Sequence, residues 1–303
     1  MNLTVKQLKV FVKLYELRSF TETADALFMT QSAVSKLCAE LEDEVGFALF
    51  ERSTRKVEPM DGATDLYRFA IEILGTLDAA ARSLADLTSV RRGSVSIAAA
   101  PMIFHGLICD VMAEYHRTYP HVRLEAHEVS TDVAIEYVLN GRVDFGVVAP
   151  DRDDPRLLTE PIQEDRLFLA CPADHPMATA RKVTWRRIAD ENVIMLRSDN
   201  NMGRMVEAIM REQREDFQPM VEAGALSTLL SLVRTGIGVA VVPAYVVSLA
   251  EAFNLSVVPI EGSQKYPRML SLIRRGNGRP SIAAGKLSDM LMNRLRKTNR
   301  FCN

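Results

Sequence analysis

Residues 19–36, which read SFTETADALFMTQSAVSK, constrain the fold of this chain more than any other segment. Ser19 followed three places on by Glu22 is the pairing in which each side chain bonds a backbone amide left free at a helix start. The pattern breaks at residues 27–29, and Thr30 is a suitable N-cap for a second helix. Two short helices joined by a tight turn are therefore predicted, as in a helix-turn-helix.

The second predicted helix separates into two faces when it is laid out at 100° per residue. The apolar face consists of Ala33, Val34, Leu37, Cys38, Leu41 and Val45. The opposite face consists of Gln31, Ser32, Ser35, Lys36 and Ala39. Because short polar side chains can approach base edges and phosphates, this second face suits a recognition helix in the major groove. An amphipathic helix with a solvated face is the alternative that the pattern alone leaves open.

A basic segment follows the predicted recognition helix. After Gly46 comes an apolar run and then Arg52, Arg55 and Lys56, which is typical of a β-wing that carries cations to the phosphate backbone. The predicted DNA contacts are Thr30, Gln31, Ser32, Ser35, Lys36, Arg52, Ser53, Arg55 and Lys56. Such a face makes few phosphate contacts per copy, so we expect the binding unit to be at least a dimer.

Taken in order, these segments resemble the winged helix-turn-helix of the LysR-type transcriptional regulators. The matching residues are 31–36, 41–42, 46, 49–52 and 62–63, which read QSAVSK, LE, G, LFER and GA. Ser32 stands where the family very often has Pro, and Thr64 where it often has Gly. The resemblance implies a sequence-specific regulator that controls promoters in response to a small-molecule effector. It also implies a tetramer built as a dimer of dimers, with RNA polymerase as a further candidate partner.

A long helix is predicted from Asp61, because apolar residues recur there in alternating steps of four and three. They are Leu66, Ala70, Ile73, Leu77, Ala80, Leu84 and Leu87. Such a stripe forms a seam between two helices or packs on its own domain, and the spacing alone leaves both open. The resemblance implies the first, a linker helix that pairs two subunits.

Beyond Gly93, predicted strands and helices alternate in two series, which is typical of a largely parallel sheet with helices on its faces. The first series is 95–99, 106–118, 122–129, 133–139 and 143–149, and the second is 166–170, 193–196, 203–214, 226–234 and 239–242. The segments NGRVDFGVV and RTGIGVAVVP resemble those of the family's two-lobed, periplasmic-binding-protein-like (type II) α/β effector domain. That domain implies strand crossovers near 160–164 and 264–268 and a C-terminal helix over about 281–297.

The predicted organisation is multidomain, α followed by α/β. A winged helix-turn-helix occupies 1–60, a linker and dimerisation helix 61–90, and an effector-binding domain 91–303. Lobe I of the last is expected at about 93–161 and 269–303, and lobe II at about 162–268.

The effector is expected between the lobes, at the carboxyl ends of strands where helix N-termini converge. The predicted contacts are Ala100, Pro101, Met102, Ser130, Thr131, Ser198, Asp199 and Ser227. Ser130 and Thr131 are equally well explained as helix caps, and Asp199 would repel an anion. The effector is therefore expected to be small and at least partly polar, with no chemical class assigned.

Other classes of function find little support in the sequence. The five histidines lack the spacing of metal ligands, and the four cysteines lack CxxC spacing. Gly236-Ile237-Gly238 precedes a strand, whereas a dinucleotide-binding loop joins a strand to a helix. We expect no catalytic residue, metal or cofactor. With no signal-peptide core and no apolar run of about 18 residues, the chain is expected to be cytoplasmic. The alternatives are a cytoplasmic small-molecule-binding protein and an α/β enzyme with an accessory DNA-binding domain.

Overall fold

The computed structural model of the chain describes residues 2–52, 57–88, 93–276 and 280–298, with side chains for all of them except 52, 78, 79, 81–88 and 296–298. Contacts separate the chain into two compact units. The first comprises residues 1–82 with 140–142, and the second comprises 83–139 with 143–303.

The first unit is three helices, a two-stranded hairpin and a long helix. Their bounds are α1 Val5–Leu17, α2 Phe20–Ala26, α3 Gln31–Val45, β1 Phe50–Arg52, β2 Val57–Pro59 and α4 Asp61–Thr88. Ser19 accepts a hydrogen bond from the amide of Glu22, and Thr30 accepts one from the amide of Ala33. Both predicted helix starts are thereby confirmed. A capping box between Thr4 and Gln7, which the sequence reading did not consider, begins α1.

Lobe I of the second unit is built on a five-stranded sheet in the order β4-β3-β5-β12-β6. Its strands are β3 Ser94–Ala99, β4 Arg123–Glu128, β5 Phe145–Val148, β6 Leu157–Glu164 and β12 Met269–Arg275. Its helices are α5 Pro101–Ile103, α6 Cys109–Thr118, α7 Thr131–Leu139 and α11 Ile282–Thr298. A π-helical turn, Phe104–Ile108, joins α5 to α6, so the helix predicted from residue 106 begins at Pro101 instead.

Lobe II contains a three-stranded sheet in the order β10-β7-β11 and a pair β8-β9. The strands are β7 Leu167–Pro172, β8 Ile194–Leu196, β9 Val221–Ala223, β10 Ala240–Pro243 and β11 Leu255–Pro259. The helices are α8 Trp185–Ala189, α9 Asn201–Gln213 and α10 Leu226–Arg234, with short 3₁₀ turns at Ala244–Leu249, Glu251–Phe253 and Ser263–Lys265.

The prediction of a largely parallel sheet is wrong in detail. β3 pairs in parallel with β4 and β5, and β8 with β9, but β12 runs antiparallel to β5 and β6, and β7 runs antiparallel to β10 and β11. β12 and β10 pair antiparallel with strands that lie far before them in the chain, β5 and β7 respectively. Local alternation of strands and helices cannot show this pairing, because it says nothing about which distant strand is the neighbour.

The two crossovers between the lobes are bonded to each other. β6 pairs with β12 as far as Glu164, and the chain then enters β7 in the other lobe, so residues 160–164, expected to be a crossover, belong to the lobe I sheet. At the crossing point the amide of Asp165 donates to the carbonyl of Arg268 at 2.9 Å. Among the described residues, no helix is both long and apolar enough to cross a membrane.

Candidate functional sites

α3 presents its predicted polar face to solvent. Val34, Cys38 and Leu41 are buried against the other helices of the first unit. Thr30, Gln31, Ser32 and Lys36 are exposed, and Ser35 is half-buried. The side chains proposed to read DNA are therefore available on one side of the helix, and the apolar face holds that side outward.

Two of the carboxylates in the second half of α3 have partners within the first unit. The ammonium of Lys36 lies 3.8 Å from the carboxylate of Glu40, one turn further along the helix. Because both side chains are exposed, this ion pair stabilises the helix only a little. Glu42 turns back to accept hydrogen bonds from the amides of Leu49 and Phe50, at 2.8 and 3.2 Å. The carboxylate of Glu42 thus stabilises the turn into β1.

The predicted wing is a hairpin in which Arg52 pairs with Val57. The remaining wing predictions, Ser53, Arg55 and Lys56, lie outside the described residues, as does the side chain of Arg52.

α4 has two apolar stripes where the sequence predicted one. Ala70 is buried in the core of the first unit and Leu66 packs against that core, so this part of the predicted seam stabilises its own domain. Phe69, Ile73 and Leu77 are exposed instead. The side chains of Leu84 and Leu87 lie outside the described residues.

A cavity of about 240 Å³ lies between the lobes of the second unit. Six predicted contacts line it: Ala100, Pro101, Met102, Ser130, Thr131 and Ser227. Ser198 and Asp199 are not among its lining residues, and Asp199 instead accepts a hydrogen bond from Arg197 at 2.6 Å.

Four helix N-termini converge on this cavity. α5, α7, α9 and α10 all begin among its lining residues. The N-caps of α5 and α10 are Ala100 and Ala225, which offer no side-chain cap. α5 begins with Pro101, which has no N–H, so free amides for a ligand are expected chiefly at the start of α10. Helix N-termini attract negative charge through their free N–H groups and their dipoles.

Arg268 also lines the cavity, and sequence reasoning missed it. Its Nε lies 3.3 Å from Oδ2 of Asp165, whose side chain is fully buried and also accepts from the amide of Ala244 at 3.0 Å. Burial raises the pKa of Asp165, and the charge of Arg268 and the Ala244 hydrogen bond oppose that rise. In the sequence, Arg268 is a single arginine in a predicted crossover. Its partner, Asp165, is about a hundred residues away, so no short motif indicates the pair.

Two residues that line the cavity already have structural roles. Ser130 accepts a weak hydrogen bond from the amide of Val133 at 3.4 Å, as a helix cap does. Asn201 donates from Nδ2 to the carbonyl of Ala149 at 2.8 Å and to the carboxylate of Asp151 at 3.2 Å. The structure is therefore compatible with Ser130 as a helix cap and with Ser130 as a ligand contact.

A polar clasp at the edge of the cavity connects the lobes. Arg204 of α9 donates to Asp151 at 3.0 Å and to Asp132 of α7 at 3.3 Å. These hydrogen bonds raise the pKa of Arg204. The clasp consists of Arg204, Asn201, Asp132 and Asp151, and it joins α9 of lobe II to two segments of lobe I.

The thiol of Cys171 on β7 is buried. Burial raises the pKa of Cys171 to about 11, which keeps the thiol protonated near neutral pH. No cluster of three His, Cys, Asp or Glu suited to a metal occurs within the part of the chain that the structure describes.

Two family models match this chain. Residues 5–61 match "Bacterial regulatory helix-turn-helix protein, lysR family", and residues 88–296 match "LysR substrate binding domain".

Several known proteins are similar over nearly the full length. The uncharacterized HTH-type transcriptional regulator YfeR of Shigella flexneri is 30% identical over 291 residues, 96% of this chain and 94% of that protein. BenM of Acinetobacter baylyi is 28% identical over 260 residues, 84% of this chain and 85% of BenM. The crystal structure of full-length CbnR complexed with its target DNA has a TM-score of 0.68 at 16% identity, covering 97% of this chain and 99% of CbnR. At that identity CbnR shows the fold alone.

Proposed function

This chain belongs to the LysR family of transcriptional regulators. We propose that it binds promoter DNA with the exposed face of α3. We also propose that a small organic anion, bound between its two lobes, controls its activity. The predicted fold, a winged helix-turn-helix followed by a LysR effector-binding domain, is confirmed. We keep the proposed domain limits at 1–60, 61–90 and 91–303.

The observation that supports the DNA-reading proposal is the exposure of Gln31, Ser32 and Lys36 on a helix whose other face is buried. Their amide and hydroxyl groups can bond base edges, and Lys36 can contact a phosphate. Since CbnR was crystallised with its target DNA, we propose the same class of partner here. We also propose that copies pair through α4, that the protein acts in the cytoplasm, and that it has no catalytic activity.

Salt dependence tests the DNA-reading face. We expect Lys36→Ala to weaken binding to a duplex selected from a random pool and to reduce the slope of log affinity against log salt by about one. Ser35→Ala should weaken binding without changing that slope. The matched control is Lys13→Ala, because Lys13 also pairs with a nearby glutamate, Glu16 at 2.8 Å, but lies on α1 and not on the proposed DNA-reading face. Unchanged binding by both Lys36→Ala and Ser35→Ala would contradict the proposal.

The anionic character of the effector is inferred from the four helix N-termini and Arg268 around the cavity. Glu128 also lines the cavity, so we propose a molecule with one carboxylate group directed away from Glu128 and towards Arg268. A cavity of about 240 Å³ accommodates only a small acid. This revises the sequence-based expectation, which assigned no chemical class.

Calorimetric titration of small organic acids and their neutral amides tests this inference. A carboxylate should bind at least about tenfold more tightly than its amide, and Arg268→Gln should remove that preference, because charge-assisted hydrogen bonds are the stronger ones. Arg166→Gln is the matched control, since Arg166 pairs with Glu164 at 3.3 Å and does not line the cavity. Equal affinity for an acid and its amide would exclude the anionic effector. Turnover of any acid by the purified protein would contradict the absence of catalysis.

A further inference from the structure

Phe28 combines two unfavourable features in the turn between α2 and α3. Its side chain is 98% exposed, and its backbone lies in the left-handed region with φ of 54°. Bulky residues are disfavoured in that region, whereas Gly and Asn adopt it readily. The turn therefore contains a residue that its backbone disfavours and whose ring is almost fully exposed in the part of the chain that the structure describes.

The residues beside Phe28 explain the turn without needing its ring. Leu27 and Met29 pack against the cluster of Val10, Ala24 and Val34, so the left-handed residue directs its neighbours inward and its own side chain outward. The amide of Phe28 donates to the carbonyl of Asp25 at 3.2 Å, a bond that any residue except Pro could make. We therefore expect the aromatic ring of Phe28 to contact another molecule.

The ring also adjoins the face assigned to DNA. Phe28 lies two residues before Thr30, the N-cap of α3, and three before Gln31. Residues 26–35 include no Lys or Arg, so contacts from this segment to a duplex have to be nonionic. The apolar groups that a duplex exposes at its surface are the thymine methyl in the major groove and the deoxyribose edges.

We propose that Phe28 is a DNA-contacting residue whose ring packs on an apolar edge of the duplex, a thymine methyl or a deoxyribose, beside the α3 recognition helix. This proposal rests on the proposed function, because it takes the α3 face as the side that meets DNA. Binding buries the ring and turns the exposed side chain into apolar contact area.

Replacement of Phe28 should separate DNA affinity from stability. Phe28→Asn removes the ring but suits the left-handed backbone, so we expect unfolding by urea to require more denaturant. Affinity for the selected duplex should fall about tenfold in fluorescence anisotropy. The slope against salt should stay unchanged, because no phosphate contact is lost. Phe28→Leu should recover part of the affinity.

Deoxyuridine in place of thymidine distinguishes the two apolar edges. If the ring packs on a thymine methyl, the parent protein binds the substituted duplex more weakly while Phe28→Asn is indifferent to the substitution. If the ring packs on a sugar, the substitution affects both proteins alike.

Parental affinity of Phe28→Asn would overturn the proposal, and so would a smaller oligomer in sedimentation, because the ring would then serve contacts between subunits. If Ser35→Ala and Lys36→Ala weaken binding and Phe28→Asn does not, only this inference fails. If all three variants bind normally, the proposed DNA-reading face itself fails.

Discussion

At the scale of single residues, the Arg268–Asp165 pair connects the two crossovers between the lobes. Both groups are nearly or fully buried, with side chains 10% and 0% exposed, and each lies in one crossover between the lobes. A buried pair adds little net stability when intact, but loss of one partner leaves the other charge uncompensated. The same arginine lines the cavity, so one guanidinium adjoins both a crossover and the proposed effector site.

Replacement of Arg268 should make stability depend on pH. Burial raises the pKa of Asp165 above its unfolded value of about 3.9, so the folded state holds the proton more tightly than the unfolded chain does. Stability contributed by this group is present at low pH and declines as pH rises through the raised value. Arg268→Met removes the opposing charge, so its free energy of unfolding in urea should decline more steeply than that of the parent as pH rises above the unfolded value. We expect a loss of about 3–5 kcal/mol, because the buried carboxylate is left without its partner.

The control for that measurement is Asp165→Asn combined with Arg268→Met, which removes the titrating group. Its stability should change with pH no more than that of the parent. An Arg268→Met variant as insensitive to pH as the double variant would show that the carboxyl of Asp165 is not the titrating group.

At the scale of elements, α4 carries apolar residues on two of its sides. Ala70 and Leu66 face the core of the first unit, and Phe69, Ile73 and Leu77 form a second stripe that is exposed. Steps of four along a helix keep residues on nearly the same side. Such an exposed stripe suits the proposed pairing with a second copy.

Ile73→Lys should weaken association through α4. A charge in an apolar seam removes contact area and needs its own solvation, so we expect the dissociation constant in analytical ultracentrifugation to rise roughly thirtyfold or more. Glu72→Lys introduces the same side chain at an adjacent exposed position off the stripe and should leave assembly unchanged. If both variants assemble like the parent, pairing does not use this stripe.

At the scale of the whole molecule, control by an effector depends on the contacts that join the two lobes when no effector is bound. The Arg204 clasp connects α9 to Asp132 and Asp151 at the edge of the cavity. These groups are about half-exposed, so each ion pair contributes only a little free energy. A weak clasp suits a device in which ligand contacts shift the closure of the lobes.

Arg204→Ala should favour the open lobes. A ligand that contacts both lobes must then supply the free energy of closure, so its affinity should fall several-fold, by about 3–10 times. Calorimetry would give the affinity, and the radius of gyration from X-ray scattering should increase only in the ligand-free protein. Arg211→Ala, which removes a pair with Glu207 on the same helix, should change neither quantity. An unchanged affinity in Arg204→Ala would show that the clasp plays no part in closure.

The sequence by itself determined the local elements and the class of protein. The helix starts at Ser19 and Thr30, the buried face of α3 and the strand–helix alternation were all predictable, because caps and periodicity depend on residues a few places apart. Strands β11 and β12 were not predicted, and neither was the antiparallel course of β12. Their pairing depends on partners far away in the chain, for which a single sequence carries no local signal.

Only the tertiary structure decided which residues meet. It brought Arg268 to the cavity and to Asp165, assigned Ala70 to the core and Phe69 to the surface, and left Phe28 exposed. Contacts of this kind follow from how distant elements pack, and periodicity in one helix does not specify what lies opposite. The physical reason is that caps and faces are set by neighbours along the chain, whereas a binding cavity is set by neighbours in space.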